Sequence, residues 1–170
     1  MLGKQLAVVF GAGAAVALLV LAWSLLSDLP LPPPDGDDTA ARLGFAAHGM
    51  LLPGLALLLG IVIVANRRFF VADAIDGGES KSRLIEIARR YNLNTLEQTV
   101  LAAIAWAGLA LSLPHVELKL IPAMAVSFFV GRILFFAGYL ITPVGRAFGL
   151  GLSAYPSFAA LIWLGWQMLR

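Results

Sequence analysis

Residues 120–144 have the sequence LIPAMAVSFFVGRILFFAGYLITPV, in which Arg132 is the one charged residue. A helix crosses the hydrocarbon core of a bilayer with about 20 residues at 1.5 Å each, so this run is long enough to span it. Four further stretches are also long enough and carry no charge; they are residues 6–26, 43–65, 98–116 and 147–169. The sequence therefore predicts an all-α integral membrane bundle of five helices.

The composition of the chain excludes an ordinary soluble domain. Hydrophobic residues make up 60% of the sequence, charged residues only 13%, and the mean hydropathy is +0.87. The net charge of +2 is too small and too dispersed to predict nucleic-acid binding. The chain has no cysteine, so any sulfur chemistry must come from a ligand. His48 and His115 are too isolated in the sequence to predict a metal site.

The first apolar stretch is open to two interpretations. Lys4 followed by an apolar run is also the pattern of a secretory signal. The run is longer than the usual signal core, however, and residues 23–28 offer no obvious small-residue cleavage site. We therefore favour a retained helix, in which Gly11, Ala12 and Gly13 serve helix packing rather than dinucleotide binding.

Basic residues concentrate in the connection between the second and third membrane stretches, whereas the segment after the first stretch is acidic. Basic loops remain in the cytoplasm, so we place this connection and the N-terminus inside, and the proline-rich residues 29–34 outside. We expect Gly77-Gly78 to break the connection, Ser82 to begin the third helix, and Pro114 to form a tight turn between two antiparallel helices. The basic residues are Arg67, Arg68, Lys81, Arg83, Arg89 and Arg90.

Two membrane helices carry polar residues at helical spacing. One stripe consists of Arg90, Asn94 and Glu97, and the other of Arg132, Tyr139 and Arg146. An unpaired charge inside a membrane costs at least about 2.5–3.5 kcal/mol, so we predict that Arg132 pairs with Glu97. From spacing alone, this pair either only fixes helix register or belongs to a cationic pocket for an anionic ligand beside a lipophilic one.

These residues resemble the signatures of a known family. Residues 90–98, RYNLNTLEQ, resemble the Arg-x-x-x-Asn-x-x-Glu motif of MAPEG, the membrane-associated proteins in eicosanoid and glutathione metabolism. Residues 132–139, RILFFAGY, with Arg146 beyond them, resemble its second signature, and Arg67 lies where the family carries an arginine. Within the family, the chain resembles bacterial-type microsomal glutathione transferases. This resemblance implies a four-helix domain over residues 43–170, preceded by an additional membrane helix and the proline-rich segment in residues 1–42.

The resemblance implies a homotrimer that holds glutathione between subunits near the cytoplasmic face of a bacterial inner membrane. Arg146 matches the arginine that stabilises the glutathione thiolate and is the candidate catalytic residue. Phe135 stands where leukotriene-forming members have a tyrosine, so the resemblance does not extend to leukotriene synthesis. The residues that would bind glutathione are Arg67, Arg90, Asn94, Glu97, Arg132 and Tyr139.

Three classes of function fit the sequence. The favoured one is a membrane-bound glutathione transferase or peroxidase acting on hydrophobic electrophiles or lipid hydroperoxides. The alternative is a non-catalytic scaffold or lipid-binding protein of the same fold, in which the polar stripes only hold helices together. A transporter or proton relay through Arg132 and Glu97 is disfavoured, because neither helix carries further acidic residues within the membrane.

Overall fold

The structure is a computed structural model that describes residues 2–26, 33–70 and 82–170. The described ranges form helices α1 (Leu2–Leu26), α2 (Thr39–Gly49), α3 (Leu51–Phe70), α4 (Arg83–Ser112), α5 (Leu120–Ile141) and α6 (Arg146–Met168). A short 3-10 helix, His115–Lys119, connects α4 to α5. The predicted break at Gly77-Gly78 and most of the proline-rich segment lie outside the described residues.

The five predicted membrane spans are confirmed. Helices long and apolar enough to cross a bilayer cover residues 3–22, 39–69, 83–112, 115–141 and 146–168, so the chain is an integral membrane protein. The second span differs from the prediction because it is interrupted at Met50, between α2 and α3. It also begins earlier, at Thr39, because the Asp38 side chain accepts hydrogen bonds from the first free backbone amides of α2.

The two ends of the bundle differ in charge. We call the end where α3 finishes and α4 and α6 begin the arginine end, because Arg67, Arg83 and Arg146 lie there. The opposite end, where α4 turns into α5, is the turn end. The turn contains Pro114, as predicted, and α4 starts at Ser82 in the N-cap position. The predicted antiparallel pairing of α4 and α5 is therefore confirmed.

Most of the core lies between α4, α5 and α6, towards the turn end. Trp106 is 1% exposed and meets Phe128 edge-on, with ring centroids 6.4 Å apart. Near the arginine end a second buried cluster joins Ile87 and Tyr91 of α4 to Phe135 and Tyr139 of α5. The Tyr91 hydroxyl also donates a hydrogen bond to the Ala56 carbonyl of α3, at 2.9 Å. This aromatic cluster borders the candidate site described below.

Small residues bring α5 and α6 into backbone contact. A Cβ atom on Gly131 would lie 2.8 Å from the Ser153 backbone nitrogen and 2.9 Å from the Gly149 carbonyl oxygen. Such an approach is possible only without side chains, and dispersion between close backbones stabilises helix pairs in lipid. The contact fixes the position of α5, and with it the position of Arg132.

Helix α1 packs on the outside of the bundle, against α6. A Cβ atom on Gly11 would lie 3.4 Å from the Ala147 Cβ atom, and one on Gly151 would lie 2.8 Å from the Ala15 Cβ atom. The expected packing role is thus confirmed for Gly11, whereas a Cβ atom on Gly13 would meet nothing within 4 Å. Because the contacts advance in the same order along both helices, α1 runs parallel to α6, and its N-terminus lies at the arginine end.

An ion-pair cluster ties the segment before α2 to the turn end. Arg42 binds the Asp37 carboxylate, and its Nη1 also donates to the Ala110 and Leu113 carbonyls at 2.9 and 2.8 Å. Asp37 accepts a further contact from His115 at 2.8 Å. Hydrogen bonding to Arg42 lowers the pKa of the Asp37 carboxyl below its ordinary value, and His115 adds to this effect. Arg42 thereby satisfies carbonyls that the end of α4 leaves without helical partners.

Candidate functional site

Arg132 is the centre of the candidate site. Its side chain is completely buried, and Nη1 donates hydrogen bonds to Asn94 Oδ1 at 3.0 Å and to Ser153 Oγ at 3.4 Å. The guanidinium carbon stands 4.1 Å from the centre of the Phe135 ring. Its other donors, Nε and Nη2, have no hydrogen-bond partner among the described residues. This is a buried cation with two donors unsatisfied.

The predicted ion pair between Arg132 and Glu97 is wrong for the described chain. No ion pair joins the two residues, and the Glu97 side chain lies on an exposed face of α4. Asn94 stands between them, because its Oδ1 accepts from Arg132 while its Nδ2 donates to Glu97 Oε2 at 3.5 Å. The amide therefore connects the buried cation to an exposed carboxylate.

A second polar group lies nearer the arginine end. Arg90 Nη1 donates to the Tyr139 hydroxyl at 3.2 Å, and Arg90 also pairs with Glu86, one turn earlier on α4. The guanidinium carbon of Arg146 lies 4.8 Å from the centre of the Tyr139 ring. Tyr139 thus stands between two arginines, with its ring 4% exposed.

Aromatic contacts join the two polar groups. The Phe135 and Tyr139 rings meet edge-on, with centroids 5.9 Å apart. The Tyr91 ring also packs near Phe135, with a centroid distance of 6.1 Å. Arg132, Phe135 and Tyr139 therefore form a continuous path along α5, from the interior of the bundle to its arginine end. Two residues of the first predicted stripe, Arg90 and Asn94, do face the second stripe, as expected from their helical spacing. The rest of the prediction is wrong, because Glu97 is exposed and Arg146 begins α6 instead of continuing the stripe along α5.

Arg67 is the predicted site residue that the structure leaves apart. It is exposed in the last turn of α3 and makes no hydrogen bond or ion pair with the other predicted site residues. The remaining predicted residues all take part in the contacts above. Within this single chain, no contact with the other predicted residues therefore supports a role for Arg67 in the site.

Comparison with known proteins agrees with this arrangement. The model of the MAPEG family matches residues 45–169, which include both polar stripes and the whole of α3 to α6. The chain belongs to the MAPEG family. The matched region begins after α1, within α2.

Two curated relatives of this MAPEG chain are both named transmembrane protein 79. The Bos taurus protein is 26% identical over 161 residues, which cover 94% of this chain and 40% of the relative. The Mus musculus protein is 25% identical over 135 residues, covering 79% of this chain and 34% of the relative. The chain thus spans well under half the length of these relatives. No solved structure matches it.

Two contacts of the MAPEG site were missed from the sequence. Ser153 of α6 accepts a hydrogen bond from Arg132, and the spacing of Gly149, Ser153 and Ser157 at four residues was the signal that this face of α6 is buried. Glu86 is the ion-pair partner of Arg90, a contact that the sequence analysis does not predict. Their separation of four residues on one helix was sufficient to predict that pair.

Proposed function

We propose that this MAPEG protein binds glutathione and activates its thiol for attack on hydrophobic electrophiles or lipid hydroperoxides. The observation that carries the proposal is Arg132, which is fully buried, has two donors unpaired and touches no carboxylate of the described chain. Burial of an uncompensated charge is costly, whereas an anionic ligand would restore the lost hydrogen bonds as charge-assisted ones. Glutathione offers carboxylates, and MAPEG proteins generally use it as a substrate.

The residues around Arg132 suit the other groups of glutathione. The exposed Glu97 carboxylate fits its ammonium group, and Asn94 links Glu97 to Arg132 through one amide. Arg90 extends the positive charge towards the arginine end, and Arg67 would join the site only across a subunit boundary, because it lies apart within one chain. These residues bind and orient the ligand.

Tyr139 and Arg146 are suited to act on the thiol. The Tyr139 hydroxyl accepts a hydrogen bond from Arg90, so its own hydrogen remains available for a sulfur anion. Arg146 is the first residue of α6, where the helix N-terminus adds partial positive charge. Both groups favour the thiolate, which is the nucleophile, and glutathione supplies the sulfur that the chain lacks. Conjugation then forms a carbon–sulfur bond as the leaving group departs with its electron pair.

We further propose that the protein is a homotrimer with α4 at the subunit interface. Glu97 lies about 22 Å along α4 from Ser112, which places an exposed carboxylate at membrane depth. Its exposed neighbours on the helix are apolar, with Leu93 62% and Val100 50% exposed. A carboxylate facing lipid is unfavourable, so a neighbouring subunit is the expected cover for this face.

The arginine end is proposed to face the cytoplasm, in a bacterial inner membrane. Six basic residues lie at helix ends or on helices that start at this end, and such residues favour the cytoplasmic side. They are Lys4, Arg67, Arg68, Arg83, Arg89 and Arg90. The contacts of Tyr139 with Arg90 and Arg146 lie at this end, so a soluble cytoplasmic thiol has the shorter route to them. A lipophilic second substrate would come from the bilayer.

The catalytic part of the proposal is tested with Arg146→Ala. We expect this variant to keep its assembly and most of its glutathione affinity, because the binding charges are elsewhere. The ultraviolet absorbance of the bound thiolate at neutral pH should fall. Conjugation of a generic electrophile should slow about tenfold or more, as expected for loss of one charge-assisted contact of about 1.5–3 kcal/mol.

Lys4→Ala is the matched control. Lys4 is an exposed cation of α1 at the same end of the bundle and is part of neither the site nor the proposed interface, so its removal should leave both signals unchanged. Equal thiolate absorbance and turnover in wild type and Arg146→Ala would remove Arg146 from the mechanism. A wild-type protein with neither signal would favour the non-catalytic scaffold.

A further inference from the structure

A cavity of about 430 Å³ lies between α1, α5 and α6, on the opposite side of α5 from the candidate site. Its walls include Val16 and Leu19 of α1, Ala123 and Met124 of α5, and Pro156 and Ala159 of α6. None of the predicted site residues lines it. We call this cavity the α1 cleft, because α1 forms one wall and lies outside the residues that the family model matches.

The α1 cleft arises where two helices diverge. Close contacts at Gly11 and Ala15 hold α1 against α6 over the half nearer the arginine end. One turn further along α6, the larger Tyr155 and Pro156 replace the small residues and line the cleft. The cleft is therefore continuous with the α1–α6 interface and widens towards the turn end.

The lining of the α1 cleft is uncharged and almost entirely hydrocarbon. Ser127 is one of the few polar residues in it, and its hydroxyl already donates a hydrogen bond to the Leu152 carbonyl, at 2.9 Å. That carbonyl needs a donor from another helix, because Pro156 lacks the N–H that would bond to it within α6. A space with so few free polar partners does not hold ordered water.

We propose that the α1 cleft binds one acyl chain of a bilayer phospholipid. All three walls belong to membrane-spanning helices, so hydrocarbon chains surround the opening. The volume falls within the usual range of ligand pockets, and the uncharged lining complements an alkyl chain. Among the described side chains of α1, only Ala15 is buried. A bound acyl chain would therefore supply packing that α1 otherwise lacks.

The α1 cleft is not an entrance for the second substrate of the proposed reaction. The backbones of α5 and α6 meet at Gly131 and Gly149, between the cleft and Arg132, and this contact closes the direct route. The proposed lipid site therefore helps to attach α1 to the bundle and is independent of glutathione chemistry. Its failure and the failure of the proposed function are separable by experiment.

The test uses phosphatidylcholine with a photoactivatable diazirine on one acyl chain, added in small amounts to the full chain in detergent. We expect saturable labelling at about one lipid per chain, mapped to residues 16–22 and 155–159. Ala159→Phe fills the cleft and should weaken this labelling about tenfold, which corresponds to about 1.4 kcal/mol. Ile162→Phe places the same phenylalanine side chain on the same helix at a lipid-facing position that is 74% exposed, and should leave labelling unchanged.

Glutathione binding should be equal in wild type and both variants, which separates this site from the proposed catalytic one. If Ala159→Phe fails to assemble as the wild type does, Ala123→Phe blocks the same cleft from α5. Labelling that never saturates, or that is lost equally in the Ile162 control, would overturn the proposal. Displacement of the labelled lipid by an electrophile, with slower turnover in Ala159→Phe, would instead assign the cleft to the second substrate.

Discussion

Arg132 shows how a single residue can point to a ligand. Taking a guanidinium out of water costs several kcal/mol, and neutral hydrogen bonds to Asn94 and Ser153 return only part of this. The Phe135 ring adds a cation–π contact on one face. Two donors of Arg132 remain unsatisfied, so its surroundings suit a protein with a bound ligand better than the free protein.

The contact between Arg132 and Asn94 can be measured directly. In a double-mutant cycle of Arg132→Met and Asn94→Ala, we expect a coupling free energy of about 0.5–3 kcal/mol, as for residues in direct contact. Denaturation of the detergent-solubilised protein provides the four stabilities. A matched cycle of Asn94→Ala with Arg89→Ala should be additive. Additivity in the Arg132 cycle as well would contradict the observed hydrogen bond.

At the scale of helices, one hydrogen bond between α5 and α6 replaces the bond that Pro156 removes from α6. The proline removes one hydrogen bond from α6, and Ser127 of α5 replaces it by donating to the Leu152 carbonyl. This places a polar contact between two helices that otherwise meet through glycine backbones. The bond holds the helices in register just beyond Arg132.

Removal of this bond should be costly only while the proline is present. Ser127→Ala leaves a carbonyl unpaired at membrane depth, so we expect a loss of about 1–3 kcal/mol in unfolding free energy. With Pro156→Ala in the background, α6 regains its own N–H donor, and Ser127→Ala should then cost much less. Chemical denaturation of the four proteins measures this. An equal cost in both backgrounds would show that the Ser127 bond does not replace the helical one.

The sequence predicts helices better than it predicts contacts between them. The spans around α1 and α6 follow from apolar length alone, because a bilayer requires it. The break at Met50 was missed although the sequence marks it, with Gly49 before it and Pro53-Gly54 after it. Pro53 has no N–H to donate to the Gly49 carbonyl, so a continuous helix would lose that bond. Spacing placed Asn94 and Glu97 on one face of α4, but only packing decides which of them meets Arg132. The four-residue spacing around Ser153 marks a buried face of α6, but its hydrogen bond with Arg132 is evident only once α6 is placed against α5.

At the scale of the whole molecule, charge and helix direction agree. The parallel packing of α1 and α6 brings Lys4 to the same end as Arg146, and α3 also finishes there. An even distribution of basic residues would not select one orientation in a membrane, whereas this concentration at one end does. The contacts of Tyr139 with Arg90 and Arg146 lie at the same end.

This arrangement predicts the sidedness of the chain in cells. Reporter fusions after Lys4 and within residues 76–80 should both report the cytoplasmic side, and a fusion after Arg170 should report the opposite side. The physical reason is that the basic residues of the arginine end resist transfer across the membrane. A shared side for Lys4 and Arg170, or cleavage of the first helix, would contradict the five-helix arrangement.

The central claim is that the unsatisfied donors of Arg132 bind glutathione, and calorimetric titration of the purified protein tests it most directly. The wild type should bind with a dissociation constant of about 1 mM or tighter, and Arg132→Met should weaken binding at least about tenfold. The free variant should remain folded, because methionine fills the space without a charge to desolvate. Absence of binding to the wild type, or equal affinity in a folded Arg132→Met protein, would contradict the account.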